Sequence, residues 1–105
     1  MQRHGENMEN LMWAALMLDY ESAATISAWI DREPRISRPT GSSDTLNEAF
    51  PERFFELQDA LHEAARDLAD AAESRDDPKM ATAYGKLSNT CVSCHSIYLH
   101  LRPPE

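Results

Sequence analysis

Apolar residues recur along most of this 105-residue chain at alternating steps of three and four, and that period constrains the fold more than any other feature. Such steps return to the same side of an α-helix at each turn, whereas a half-buried strand would alternate every second residue. His4, Met8, Leu11, Ala15 and Leu18 form the first stripe and predict helix A over residues 2–18. Asp19 is suited to cap a shorter helix B over 20–32, where Ala23, Ile26 and Ile30 face one way, Trp29 sits beside them and Pro34 closes the segment. Residues 33–46 hold Pro34, Pro39, Gly41 and the Ser42-Ser43-Asp44 cluster, turn chemistry that predicts the one long connection. From Phe50 the period returns in Phe54, Leu57, Leu61, Ala64 and Leu68, giving helix C to about Ser74 with Pro51 in its first turn. Asp76 or Asp77 can cap helix D, opened by Pro78, on which Met80, Tyr84, Leu87, Cys91, Cys94, Tyr98 and Leu101 keep the alternation.

Four helices joined mostly by short connections predict an all-α antiparallel four-helix bundle. Glycine occurs only three times, so little interrupts the helices. The length suits one domain, residues 1–105, and is too short for two separate cores. With 42% hydrophobic and 27% charged residues the composition is globular rather than disordered. No apolar run approaches the roughly 18 residues that span a bilayer, so no membrane insertion is expected. The N-terminus lacks a basic region followed by an apolar stretch, so either a signal segment has been removed or there was none. A net charge of −8 argues against nucleic acid or an anionic membrane as partner. It fits a basic docking partner, and it also serves simply to keep a small protein in solution.

An up, down, up, down arrangement brings the start of A, the end of B, the start of C and the end of D to one end of the bundle. His4, Met8, Trp29, Phe50, Phe54 and Phe55 then surround Cys91 to His95. A flat apolar guest there meets aromatic walls, with Trp29 and Phe54 as the expected pocket residues. Trp13 and Met17 fall off the inward stripe of A, a patch suited to a second subunit and so to a homodimer. His62 lies opposite the stripe of C and is expected on the surface.

Residues 91–95 read Cys-Val-Ser-Cys-His, the attachment pattern of c-type haem. On a helix two cysteines three apart share a face, so both thiols can reach vinyl groups along one porphyrin edge while His95 supplies a nitrogen to the iron. Zinc would need a fourth ligand, and no second Cys pair or His-x-x-x-His completes a usual finger. A thiol-disulfide oxidoreductase sets its Cys-x-x-Cys after a strand, and no strand is indicated. A third alternative is that both cysteines are ordinary core residues beside a chance histidine.

A Cys-x-x-Cys-His near the C-terminus of a short all-helical chain resembles the cytochrome c-prime family and its low-spin relatives. Tyr98, three residues after His95, and Gly85, in the helix leading to the motif, extend the resemblance. Family members usually carry a basic residue directly after that tyrosine, where this chain has Leu99, and they are usually longer. The resemblance implies a periplasmic four-helix bundle with one covalent haem c, a removed signal peptide, frequent dimerisation, and a role in electron transfer or in binding small gases. The family divides on what faces the iron opposite the proximal histidine. Alignment of helix A places that position at His4, and a slip of one turn places it at Met8. Arg3 and Arg102 are suited to pair with haem propionates, and His100 to lie by an exposed haem edge. The expected function is one-electron transfer to a redox partner protein through six-coordinate iron, with no enzymatic activity. The alternative is five-coordinate iron that binds NO or CO, and a more remote one is a haem-free helical interaction domain.

Overall fold

The computed structural model describes the backbone of residues 2–35 and 51–101, and the side chains of residues 5–35 and 51–96. Four helices make up the described chain: α1 (Gln2–Leu16), α2 (Tyr20–Asp31), α3 (Glu52–Glu73) and α4 (Asp77–Leu101), with no strand among the described residues. The part of the expected connection that runs from residue 36 to 46, and Phe50, lie outside the described residues.

Each helix starts or stops for a local reason. α1 ends two residues earlier than the periodicity suggests, because Leu18 adopts a left-handed φ of 57°. Its N–H bonds to the Ala15 carbonyl at 3.3 Å and that of Asp19 to Ala14 at 2.8 Å, the paired closing bonds of a Schellman turn. Asp19 then caps α2 as expected, its side chain accepting from the Ser22 N–H at 3.3 Å. Pro51 precedes α3 at its N-cap position instead of lying in the first turn, and makes no side-chain cap bond. Between α3 and α4 the Schellman geometry recurs around Arg75 (φ 55°), with Asp76 N–H to the Ala71 carbonyl at 2.9 Å and Arg75 N–H to Ala72 at 3.1 Å. Of the two candidate caps, Asp76 does the capping, accepting from the Lys79 N–H at 3.1 Å.

The helices form an antiparallel bundle in chain order: α1 packs on α2, α2 on α3 and α3 on α4. The ring closes loosely, since α1 and α4 touch at few points. Leu11, Ile30, Leu68 and Leu87, one from each helix, are completely buried at its centre. Each contributes on the order of 1.5–3 kcal/mol by leaving water. Alanines at 64, 65, 69, 71 and 72 let α3 approach both neighbours closely. This makes α3 the middle of the molecule, with a buried arc wider than one stripe.

Candidate functional site

Polar contacts fix which helix ends meet. Asn7 Nδ2 donates to Glu33 Oε1 at 3.2 Å, joining the start of α1 to the chain just beyond α2. His62 Nδ1 lies 2.7 Å from the Asp31 carbonyl oxygen, and Arg35 pairs with Asp59 at 3.6 Å, joining the end of α2 to the first half of α3. At the opposite end the Tyr20 hydroxyl donates to Asp77 Oδ1 at 2.7 Å, and the Arg75 guanidinium lies 5.3 Å from the centre of the Tyr20 ring. The start of α1, the end of α2, the start of α3 and the end of α4 therefore share one end of the bundle, the arrangement that an alternating topology requires.

The Cys-Val-Ser-Cys-His segment lies at that shared end, on a helix that runs unbroken to Leu101. Cys91, Ser93 and Cys94 are half-buried, while Val92, His95 and Ser96 are exposed. Residues Lys79, Thr82, Ala83, Lys86, Asn89 and Thr90 line grooves against α3. At about 100° per residue the flank of α4 that carries Cys91 and His95 then turns toward the loosely closed α1 seam. Burial raises both thiols above their ordinary pKa, and Cys91 is raised further by Cys94 and by Glu33, against a smaller lowering from a backbone hydrogen bond. No group of three or more His, Cys, Asp or Glu suited to a metal ion occurs among the described residues. Two thiols one turn apart, with an adjacent imidazole beside an open seam, fit a haem, and no further ligand gathers with them among the described residues as a zinc site would need.

The other expected site residues divide. Phe54 is buried and meets Phe55 edge to face, with ring centroids 5.4 Å apart and an interplanar angle of 88°. The hairpin of α3 and α4 sets these rings level with the residues around His95. Trp29, expected as a pocket wall, is 51% exposed, because Ile30 takes the inward place on α2. Met8 is partly buried and packs against the core cluster. The Asn7 to Glu33 contact, one residue away, puts it level with the end of α2. The backbone of His4 lies in α1, but its side chain is outside the described residues, as are the side chains of Arg3, Tyr98 and His100 and the whole of Arg102.

His62 is a correction: it is 3% exposed, not on the surface. Because α3 packs on two helices, a second stripe of Phe55, His62, Ala65, Ala69 and Ala72 is buried beside the apolar one. The recurrence of small residues at helical spacing was the available signal. A carbonyl can only accept, so His62 Nδ1 carries the hydrogen and closes one of the last carbonyls of α2. Asn7 and Glu33 were missed altogether, since nothing local marks two polar residues that meet only in the folded chain.

A family model described as Cytochrome C' matches residues 23–98, well over half of the chain. The chain belongs to the cytochrome c′ family. The match runs from within α2 through the Cys-x-x-Cys-His segment to Tyr98, so the resemblance carried by the motif holds over three of the four helices. Membership makes it a c-type cytochrome, a class of electron carriers and ligand binders whose cofactor is haem c. The whole of α1, with His4 and Met8, lies outside the matched residues. No curated protein and no solved structure matches the chain. Among the described residues no helix is long and apolar enough to cross a membrane.

Proposed function

We propose that this cytochrome c′ family member is a monohaem one-electron carrier, with Cys91 and Cys94 forming the haem thioethers and His95 the proximal iron ligand. The observation that carries the reading is the pair of half-buried thiols one helical turn apart, with His95 next in sequence on the same unbroken helix. Each thiol adds its S–H across a vinyl double bond, forming one C–S and one C–H bond with no atom left over. When bound, haem c supplies a reversible ferric/ferrous couple. Phe54 and Phe55 give the end of the bundle an apolar wall that keeps water away. The exposure of Val92, His95 and Ser96 brings the attachment turn to the surface, where an electron has a short path to a partner.

In this reading the sixth iron position is filled from α1, by His4 or, one turn on, by Met8. The packing of Met8 against the core supports a second reading, in which Met8 stays a core residue and the iron is five-coordinate and open to NO or CO. The remaining assignments follow the same proposal. The chain forms one domain over residues 1–105 and acts as a carrier, not an enzyme. It works in the periplasm, and its net charge of −8 favours a basic redox partner.

The test is the visible spectrum of the chain produced with haem-attachment machinery, oxidised and reduced, with and without carbon monoxide. Covalent haem that survives acid acetone extraction and is lost in the Cys91→Ala/Cys94→Ala variant is expected. Sharp low-spin bands that ignore carbon monoxide support six-coordinate iron, and a further Met8→Ala variant then distinguishes Met8 from His4. A high-spin, carbon monoxide-responsive spectrum supports the second reading. The absence of any Soret band overturns both.

A further inference from the structure

We infer that α1 is a lid over the attachment turn, swinging as one unit about Leu18 to admit haem to the segment from Cys91 to His95 and then closing on it. The inference rests on haem attachment at that segment. Among its described side chains α1 buries Leu11 and Ala14, with Met8 packed partly beside them. It packs along α2 and touches α4 at few points. The flank of α4 on that side is covered accordingly. Tyr84, Ser88, Cys91 and His95 fall within about 60° of one another around the helix, and the first three are half-buried and the fourth exposed. Ala83, Leu87 and Thr90, turned to the core and to α3, are buried.

The remaining contacts decide which helix moves. α2 is held at both ends, by His62 on the Asp31 carbonyl at 2.7 Å and by Asp77 on the Tyr20 hydroxyl at 2.7 Å. α3 packs on both α2 and α4. Near its start α1 has a part-buried latch, Asn7 Nδ2 donating to Glu33 Oε1 at 3.2 Å. Its other end is a pivot, where Leu18 closes α1 at a left-handed φ of 57° and Asp19 caps α2. Hinges are element-terminal positions that absorb a backbone rotation. The left-handed conformation is disfavoured for a residue with a Cβ, so a rotation of Leu18 out of it returns part of what opening loses. Opening forfeits the latch and the burial of Leu11 and Ala14, and leaves α2, α3 and α4 packed on one another. Cooperative units of this kind open well below the free energy of global unfolding.

The experiment is amide hydrogen exchange, resolved by peptide, on the full chain before and after haem loading. Before loading, the amides of α1 are expected to exchange as a group, at least about tenfold faster than those around Leu68 and Leu87, and loading is expected to slow them. Equal protection in all four helices overturns the inference, and so does an α1 that loading leaves as fast as before. Paired variants separate a lid from global unfolding. Leu11→Ala removes contacts made only in the closed form and is expected to speed exchange in α1 by about tenfold or more. Ala65→Gly, where α3 packs on α2, weakens the closed and open forms alike. It is expected to speed exchange in α3 by about fivefold and to leave α1 unmoved. Acceleration of α1 by Ala65→Gly overturns the inference, as does a Leu11→Ala chain in which α1 is unmoved. Covalent capture of ferrous haem by the reduced chain is the second readout. Leu11→Ala is expected to capture it faster than the parent and Ala65→Gly at the parent rate, and an unchanged rate in Leu11→Ala overturns the role of the lid. If the parent takes no covalent haem, the proposed function fails, while the exchange still reads whether α1 opens alone.

Discussion

His62→Ala discriminates most sharply between a one-stripe amphipathic helix and the packing seen for α3. In the folded chain the ring is 3% exposed and its Nδ1–H closes the Asp31 carbonyl at 2.7 Å. Truncation strands that half-buried carbonyl, which costs about 1–3 kcal/mol, and leaves a hole among Phe55, Ala65 and α2. Large-to-small substitutions at such sites cost about 2–5 kcal/mol, so about 3 kcal/mol is a fair expectation for the whole change. The nearby ion pairs of Asp31, with Arg66 at 3.5 Å and Arg35 at 3.9 Å, are solvent-accessible and offset little of this. Against a total stability of about 5–15 kcal/mol, the loss should lower the melting temperature by about 10 °C or more. The assay is urea unfolding of the full haem-loaded chain followed by far-ultraviolet circular dichroism, with exposed Glu63→Ala as a control expected to stay within about 0.5 kcal/mol of the parent. His62→Phe separates the terms, since it fills the space but drops the donor, and should recover the cavity part only. A His62→Ala midpoint equal to that of Glu63→Ala, at unchanged slope, would refute the reasoning and return His62 to the surface.

Two further outcomes are expected. Tyr20 is held above its ordinary pKa of 10.0, first by its hydrogen bond to Asp77, then by partial desolvation and the Asp77 charge, against a lowering by Arg75. The folded chain keeps this proton where the unfolded chain has lost it, so the stabilisation is fully present below pH 10.0 and disappears as pH rises through the folded value. Tyrosinate absorbance should therefore show one late-titrating tyrosine that Tyr20→Phe removes, and a titration unaltered by that change would reject the bond. At the end of α1 and just beyond it, the exposed Trp13 (58%), Leu16 (68%) and Met17 (72%) stand at helical spacing as one outward patch. If they cover a second copy of the chain, sedimentation should show a dimer that Trp13→Glu/Met17→Glu converts to a monomer; a parent that stays monomeric at high concentration rejects the homodimer.

The helices were legible because their signals are local. Periodicity, Asp19, the Asp76-Asp77-Pro78 run and the scarcity of glycine each act within a turn or two of chain. The misplaced end of α1 has an equally local cause, but one that the sequence conceals: a left-handed closing residue is usually glycine, and here Leu18 takes that role. Arg75 does the same after α3, where the change of pattern and the following Asp-Asp-Pro still marked the turn. His62 was misplaced for the complementary reason. A single stripe assumes that a helix has one neighbour, whereas α3 has two, and which flank of a short helix such as α2 turns inward depends on where those neighbours lie.

The same distinction runs through the site. In the proposed function, covalent attachment and proximal ligation fall within one turn of helix, so five consecutive residues suffice to suggest them. The surroundings of that turn come from other helices and from no motif: Asn7 and His62 hold the end of α2 from two sides. α1 is the element least bound to this arrangement, since it touches α4 sparsely and lies outside the residues that match the family. α1 is anchored in the core by Leu11 and Ala14, so its packing rests mainly on residues other than His4 and Met8. In the proposed reading, the step from a closed electron carrier to an open gas-binding site is therefore a change at those two positions of α1, around an attachment turn that remains in place.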